Sequence, residues 1–369
     1  MKIKKLILKI LKKIINILSF SEKINKYFFY VISNSTLKNS FFTYHLRPKN
    51  IDKIIDDKIQ LKSKKEKIAM VMQGPLIYED DFTYNTLKLY KNIFKDDELI
   101  LSIWNNENQE YLEKIKQLGV DIIENKKPEA GGFINLNYQI VSTSSGVKKA
   151  EELNCKYVLK TRTDIRIYGI GISNFLISLL EVFSSNSKEQ QDRIIGIDIN
   201  THKYGIGISD IFQFGTTEEM LKMWDGNLYP NKGITSEEYY NFEKNSTAID
   251  RFNLEFAECY LLKNYLKKNT IELKPSLKNY YEVLKNNFII IDSSMINLFW
   301  NKYLGDEYKE WKNYSKKISN SCMSFKDWLT IYNNDYSVNE NILLKTYDEW
   351  KKMTIEDVEN EKCNDSSKC

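Results

Sequence analysis

The sequence predicts an α/β protein, a Rossmann-type sheet flanked by helices and preceded by a basic amphipathic helical segment. Three observations predict it. From Ile68 onward, apolar runs of strand length alternate with segments of helical spacing, the pattern of parallel βαβ units. The 369 residues are 42% hydrophobic and include 24 Tyr and 18 Phe, enough apolar surface for a large core. Finally, residues 1–67 hold 17 Lys or Arg against 5 Asp or Glu, while the remainder holds 37 against 45, so the basic character belongs to the N-terminus.

The N-terminal segment comes first. Ile3, Ile7, Ile10, Ile14 and Ile17 recur at helical spacing, widened by Leu6, Leu11 and Leu18, with Lys2, Lys5, Lys9, Lys12 and Lys13 mainly on the opposite side. Six lysines in the first twenty residues are incompatible with a spanning helix, and no apolar core of seven residues ends at a small-residue cleavage site, so a secretory signal is not expected. The pattern predicts a helix lying on an anionic membrane surface. Its competitor is a helix docked on the protein's own body.

In the body, IAMVMQ is a buried-strand run stopped by Gly74-Pro75, and Asp81 to Phe94 has helical spacing. ELILSIW is a second strand. Asn108 to Leu118 is helix-like and leads through Gly119 to the strand VDIIE; Ile134 to Leu153 is a long helix, and KYVLKT a fourth strand. RIIGID and DIFQFG continue the sheet, Ala248 to Lys268 reads as one long helix, and NFIIID is a late strand. The tail NEKCNDSSKC reads as disordered. Three regions follow: residues 1–66 as the basic helical region, 67–300 as the sheet domain, and 301–369 as a helical extension.

Several function classes are excluded by composition. An acidic body argues against a phosphate-backbone footprint, so no nucleic-acid partner is expected. Five cysteines without a C-x-x-C pair make neither a disulfide framework nor a zinc site and fit a reducing cytoplasm. Two histidines, His45 and His202, make a histidine-centred triad unattractive.

Ligands of parallel α/β sheets bind at the carboxyl ends of the strands. There the sequence presents Gln73-Gly74-Pro75, Trp104-Asn105-Asn106 and, in YVLKTRTDIRI, Lys160, Arg162, Asp164 and Arg166. Only five Arg occur among 54 basic residues, so two within three positions of one Asp mark a concentrated use of a planar, bidentate phosphate grip. The alternative is a structural ion pair at a strand end. Asn137 and Gln139 stand near the start of the long helix, where free amides favour anions and where capping competes as an explanation.

VMQGPL, LSIWNN, NLNYQIVSTSSGVKKA, YVLKTRTD and SDIFQFG, in that order, resemble the WavE family of lipopolysaccharide-synthesis proteins over about Ile68 to Leu266. The resemblance implies a GT-A-like glycosyltransferase acting on a nucleotide-sugar donor. It makes Gln73, Gly74 and Pro75 a donor loop and Trp104 with Asn105 a wall for base or ribose, with Asn137, Gln139, Lys160 and Arg162 as further donor contacts. Such enzymes commonly carry a DxD metal motif after the fourth strand. Here that position reads Arg162-Thr163-Asp164, so Asp164 alone is the candidate ligand for Mn or Mg, and Arg or Lys can neutralise the leaving group instead. An inverting transfer needs a carboxylate base: Asp210 is the first candidate and Glu258 the second.

The function expected is transfer of a sugar to a lipid-linked oligosaccharide acceptor in lipopolysaccharide or capsule synthesis, by a cytoplasmic protein peripheral on the inner membrane. The alternatives are a sugar-nucleotide nucleotidylyltransferase, for which QGPLIYEDD lacks a Gly-rich basic phosphate loop, and a membrane-peripheral assembly protein without catalysis.

Overall fold

Ile68–Gln73 (β1) is buried at every position, as an apolar run becomes when helices cover both faces of a sheet. A computed structural model describes residues 66–185, 190, 192–230, 236–303 and 321–353, with 9, 10, 13, 14, 24, 27, 30, 31, 47 and 49 before them. The chain divides into two units, 1–50 and 51–369. In the first, residues 9, 10, 13, 14, 24, 27, 30 and 31 are helical and exposed; the rest of the expected amphipathic stripe lies outside the described residues, as does the expected disordered tail.

In the second unit β1 is followed by Phe82–Ile93 (α1), Glu98–Trp104 (β2), Gln109–Lys116 (α2), Asp121–Asn125 (β3) and Leu136–Glu152 (α3). Next come Tyr157–Arg162 (β4), Ile165–Ile167 (β5), Ile172–Val182 (α4), Ile194–Ile197 (β6), Gln213–Thr216 (β7), Thr217–Trp224 (α5) and Ser236–Asn245 (α6). Ala248–Asn253 (α7), Ala257–Lys268 (α8), Leu277–Asn287 (α9), Phe288–Ile291 (β8), Leu298–Trp300 (β9), Phe325–Tyr332 (α10) and Tyr347–Lys352 (α11) complete it. Short helices are fixed by their caps: Thr216, Thr247, Ser276, Ser324 and Thr346 each accept from a backbone N–H of the first turn.

Among the described residues the main sheet has seven strands in the order β3-β2-β1-β4-β7-β6-β8, mixed because β7 runs antiparallel to β4 and β6. The α/β fold class is therefore the one expected. Chain order leaves β1 toward β2 on one side and toward β4 on the other. That reversal is the topological switch point, and its crevice opens at the carboxyl ends of β1 and β4, where Gln73 pairs with Arg162 in register. A second sheet pairs β5 with β9 and ties the segment after β4 to residues 298–300.

Two expectations are corrected. The long helix over 248–268 is two helices, broken where Glu255 takes φ +54°, with Phe256 N–H returning to the Arg251 carbonyl. DIFQFG enters the sheet only at Gln213; Ser209 and Asp210 stay outside because their groups bond across to Thr201, Gln139 and Lys160. Residues 321–353 join the same buried core as the sheet through Trp328, Ile331, Leu343 and Trp350.

Candidate active site

The site is built on the ends of β1 and β4. Gly74 takes φ +123°, a conformation open to glycine, and a Cβ there would stand 2.8 Å from Thr163 Oγ1. This close approach lets Thr163 N–H bond the Gln73 carbonyl and the Thr163 hydroxyl donate to the Pro75 carbonyl at 2.6 Å, so the two strand ends are stitched together. Pro75 itself is exposed at the rim. The loop's other amides are engaged internally: Gly74 N–H with the Ser102 carbonyl, Leu76 N–H with Glu107 and Ile77 N–H with Thr83 Oγ1.

Under that rim lies a buried polar network. Ser142 Oγ donates to Gln73 Oε1 at 2.8 Å, Gln73 reaches Gln139 Oε1 at 3.5 Å, and the Gln139 amide donates to the Asp210 carboxylate. Lys160, with no exposed surface, donates to the Asp210 carbonyl and lies 4.6 Å over the Trp224 ring. Burial pushes its ammonium down to about 7, with the Asp210 charge opposing and that of Arg162 assisting. Asp210 is 6% exposed. The arrangement fixes one carboxylate beside a buried amine whose proton affinity is lowered to near neutrality.

Beside it, Arg162 forks onto Asp164, with Nε on Oδ1 at 2.9 Å and Nη2 on Oδ2 at 3.0 Å, while Trp300 Nε1 donates to the same Oδ2 at 3.1 Å. The Trp300 ring lies 5.4 Å from the guanidinium. Burial would raise the Asp164 carboxyl, but the hydrogen bonds and charge of Arg162, the Trp300 N–H and the Lys302 charge outweigh it and hold it below the usual carboxylate range. A divalent cation does not fit here. Three acceptor sites of this carboxylate are occupied, two cations flank it, and among the described residues no group of three or more His, Cys, Asp or Glu could hold a metal.

Of the residues expected at the site, the structure brings together Gln73, Gly74, Pro75, Gln139, Lys160, Arg162, Asp164 and Asp210. Lys160 lies beneath the crevice rather than in it. Trp104 is 4% exposed and packs edge-on to Tyr138 at 5.6 Å, whereas Asn105 is exposed at the end of β2. Asn137 is a clasp between loops: its amide donates to the Ala130 and Tyr229 carbonyls, both at 3.1 Å, and accepts from Tyr229 N–H. Glu258 is half-buried in the first turn of α8, its backbone against Gly207 in the segment that leads to Asp210. Sequence reading missed Ser142, one turn beyond Gln139 on α3, and Trp300, which nothing near Asp164 in the chain announces. It also missed Tyr78, whose hydroxyl donates to Glu107 at 2.5 Å and holds the outer wall of the loop.

The family model described as WavE lipopolysaccharide synthesis matches residues 68–362. No curated protein matches the chain. Similar solved structures include a cytidylyltransferase from Leptospira borgpetersenii, 11% identical, covering 81% of this chain and 94% of that one at a TM-score of 0.30. Glucosyl-3-phosphoglycerate synthase from Mycobacterium tuberculosis, in complex with Mn2+, UDP and phosphoglyceric acid, is 9% identical over 57% and 81% of the two chains, TM-score 0.29. A glycosyltransferase involved in glycosylation of the PBCV-1 major capsid is 13% identical over 47% and 76%, TM-score 0.24. At scores this low nothing of their chemistry transfers to this chain.

Proposed function

The chain belongs to the WavE lipopolysaccharide synthesis family, and from that premise we propose that it is a GT-A-type glycosyltransferase moving a sugar from a nucleotide-sugar donor to a lipid-linked glycan. The observation that carries the reading is the Asp210 carboxylate, buried, oriented by Gln139, which also meets Gln73 at the end of β1, and held beside Lys160. In an inverting transfer Asp210 takes the proton of the acceptor hydroxyl as its oxygen bonds the anomeric carbon and the bond to the nucleotide breaks. Glu258 is the second candidate for that role. Gln73, Gly74 and Pro75 line the donor side, with Asn105 at its rim.

The basic amphipathic N-terminus supports work on an anionic membrane surface, at the cytoplasmic face of the inner membrane, where a lipid-linked acceptor would lie. No described helix is long and apolar enough to cross a membrane. A nucleotidylyltransferase would need free backbone N–H groups after β1 to cradle phosphates, and those of Gly74, Leu76 and Ile77 are engaged.

The test is nucleotide release from UDP-, GDP-, CMP- and dTDP-sugars over vesicles bearing lipid-linked glycan. One donor is expected to be consumed, and Asp210→Asn is expected to slow transfer by about a hundredfold or more while donor binding persists. Binding of a donor with no transfer would turn the reading toward a non-catalytic assembly protein.

A further inference from the structure

The Arg162–Asp164 pair has the geometry of an anion site holding its own internal anion. A carboxylate gripped by both arms of a guanidinium fork presents two oxygens as a phosphate does, so one bidentate anion can replace another with both hydrogen bonds of the guanidinium kept. The side chain of Arg162 is 21% exposed against 13% for Asp164, so the cation is the more accessible member of the pair. On release, Asp164 would keep the Trp300 N–H and the nearby charge of Lys302, so its carboxylate would not be stranded.

Two further observations narrow what the ligand's charge can meet. The loop after β1 offers no spare amide at Gly74, Leu76 or Ile77, and Pro75 has none. Lys160 is fully buried and turned onto the Asp210 carbonyl. Among the described residues of the two strand ends, Arg162 is thus the cation that offers a bidentate fork, with the Lys302 charge nearby. In the free protein a divalent ion on Asp164 would sit against two positive side chains with three acceptor sites already taken.

We propose that Arg162 is the diphosphate grip of this site, held by Asp164 in the free protein, and that the donor's diphosphate displaces Asp164 from it with no divalent cation between protein and ligand. This rests on the nucleotide-sugar reading above. Asp164 is then a competitor for Arg162, whereas a metal-ligand role would make it a requirement. The two roles predict opposite signs for one substitution.

The experiment is calorimetric titration of the full chain with UDP, GDP, CDP, dTDP and CMP, in EDTA and again with Mn. Expected are one nucleoside diphosphate bound equally in both conditions, binding weakened roughly tenfold or more by Arg162→Gln, and binding tightened by Asp164→Asn. Mn-dependent binding in the unaltered protein that Asp164→Asn abolishes would overturn the proposal. Should Asp164→Asn fail to fold, the EDTA and Mn arms on unaltered protein and Arg162→Gln decide alone. If no diphosphate binds, or only CMP binds, the inference is wrong; if a diphosphate binds as expected yet no sugar is ever transferred, the transferase reading alone falls.

Discussion

Lys160 carries its ammonium on β4 with no exposed surface, and burial lowers its proton affinity to about 7. The unfolded chain binds that proton up to the ordinary lysine value of 10.5, so between about 7 and 10.5 the unfolded state holds more protons and stability rises with pH through this residue. Below about 7 the full cost of the buried charge is present. Lys160→Met removes the group, and its stability relative to the unaltered protein should be greatest below pH 7 and shrink as pH rises, by at most about 1.4 kcal/mol per pH unit. Urea unfolding of both proteins at pH 6, 7.5 and 9 checks this, and a constant difference would show that Lys160 stays charged in the fold throughout this range. The cluster YVLKTRTDIRI was legible as a gathering of charge at a strand end because scarce Arg and one Asp crowd it. Their division of labour was not. Arg166 turns away, donating to Thr86 Oγ1 at 2.9 Å and the Phe82 carbonyl at 3.1 Å, and Arg162 meets Trp300 from far along the chain. Local sequence marks which residues gather at a strand end, while long-range packing decides which way each side chain points.

Helix α3 lies across β1 at Gly146, where a Cβ would come within 2.2 Å of Val71 Cγ1. Neither backbone can retreat easily, since α3 also carries Gln139 and Ser142 to the site and β1 is bonded on both sides. Gly146→Ala should therefore destabilise by about 1–3 kcal/mol through overpacking, against its ordinary gain in helix propensity. Val71→Ala removes the opposing methyl groups, so the double variant should lose less than the sum of the two singles, a coupling readable in urea midpoints. Additive losses would place the clash elsewhere. The elements themselves were legible where one periodicity dominates: β1, β2 and β4 are short apolar runs buried on both faces, and α3 has a long unbroken helical pattern. The break between α7 and α8 was hidden. Phe252, Phe256 and Cys259 continue the apolar spacing through it, and the left-handed residue is Glu255, with no glycine to announce the turn.

At the scale of the whole molecule, the segment 321–353 closes the structure on the side of β8, the strand that ends the sheet. Ser321 and Cys322 lie against His202, and Met323 N–H bonds the Thr201 carbonyl at 2.7 Å, so the segment enters beside the loop that leads to Asp210. Trp328 then sits against α9, its Nε1 donating to the Leu284 carbonyl at 3.2 Å. The Glu340 carboxylate caps α9 by accepting from Leu277 and Lys278 N–H, and Arg251 lies 4.2 Å over the Tyr347 ring. Trp328, Ile331, Ile342, Leu343 and Trp350 are each no more than 3% exposed. At about 1.5–3 kcal/mol per large buried side chain, these five represent on the order of 10 kcal/mol, comparable with the whole net stability of an ordinary domain. A chain ended after residue 320 should therefore lose cooperative thermal unfolding and its near-UV signal, and Trp328→Ala alone should lower stability by about 3–5 kcal/mol. Survival of a sharp transition at an unchanged midpoint in the shortened chain would mean that the sheet holds itself together and the segment only rests on it. Its loss would tie the integrity of the Asp210 loop to residues more than a hundred positions further along the chain.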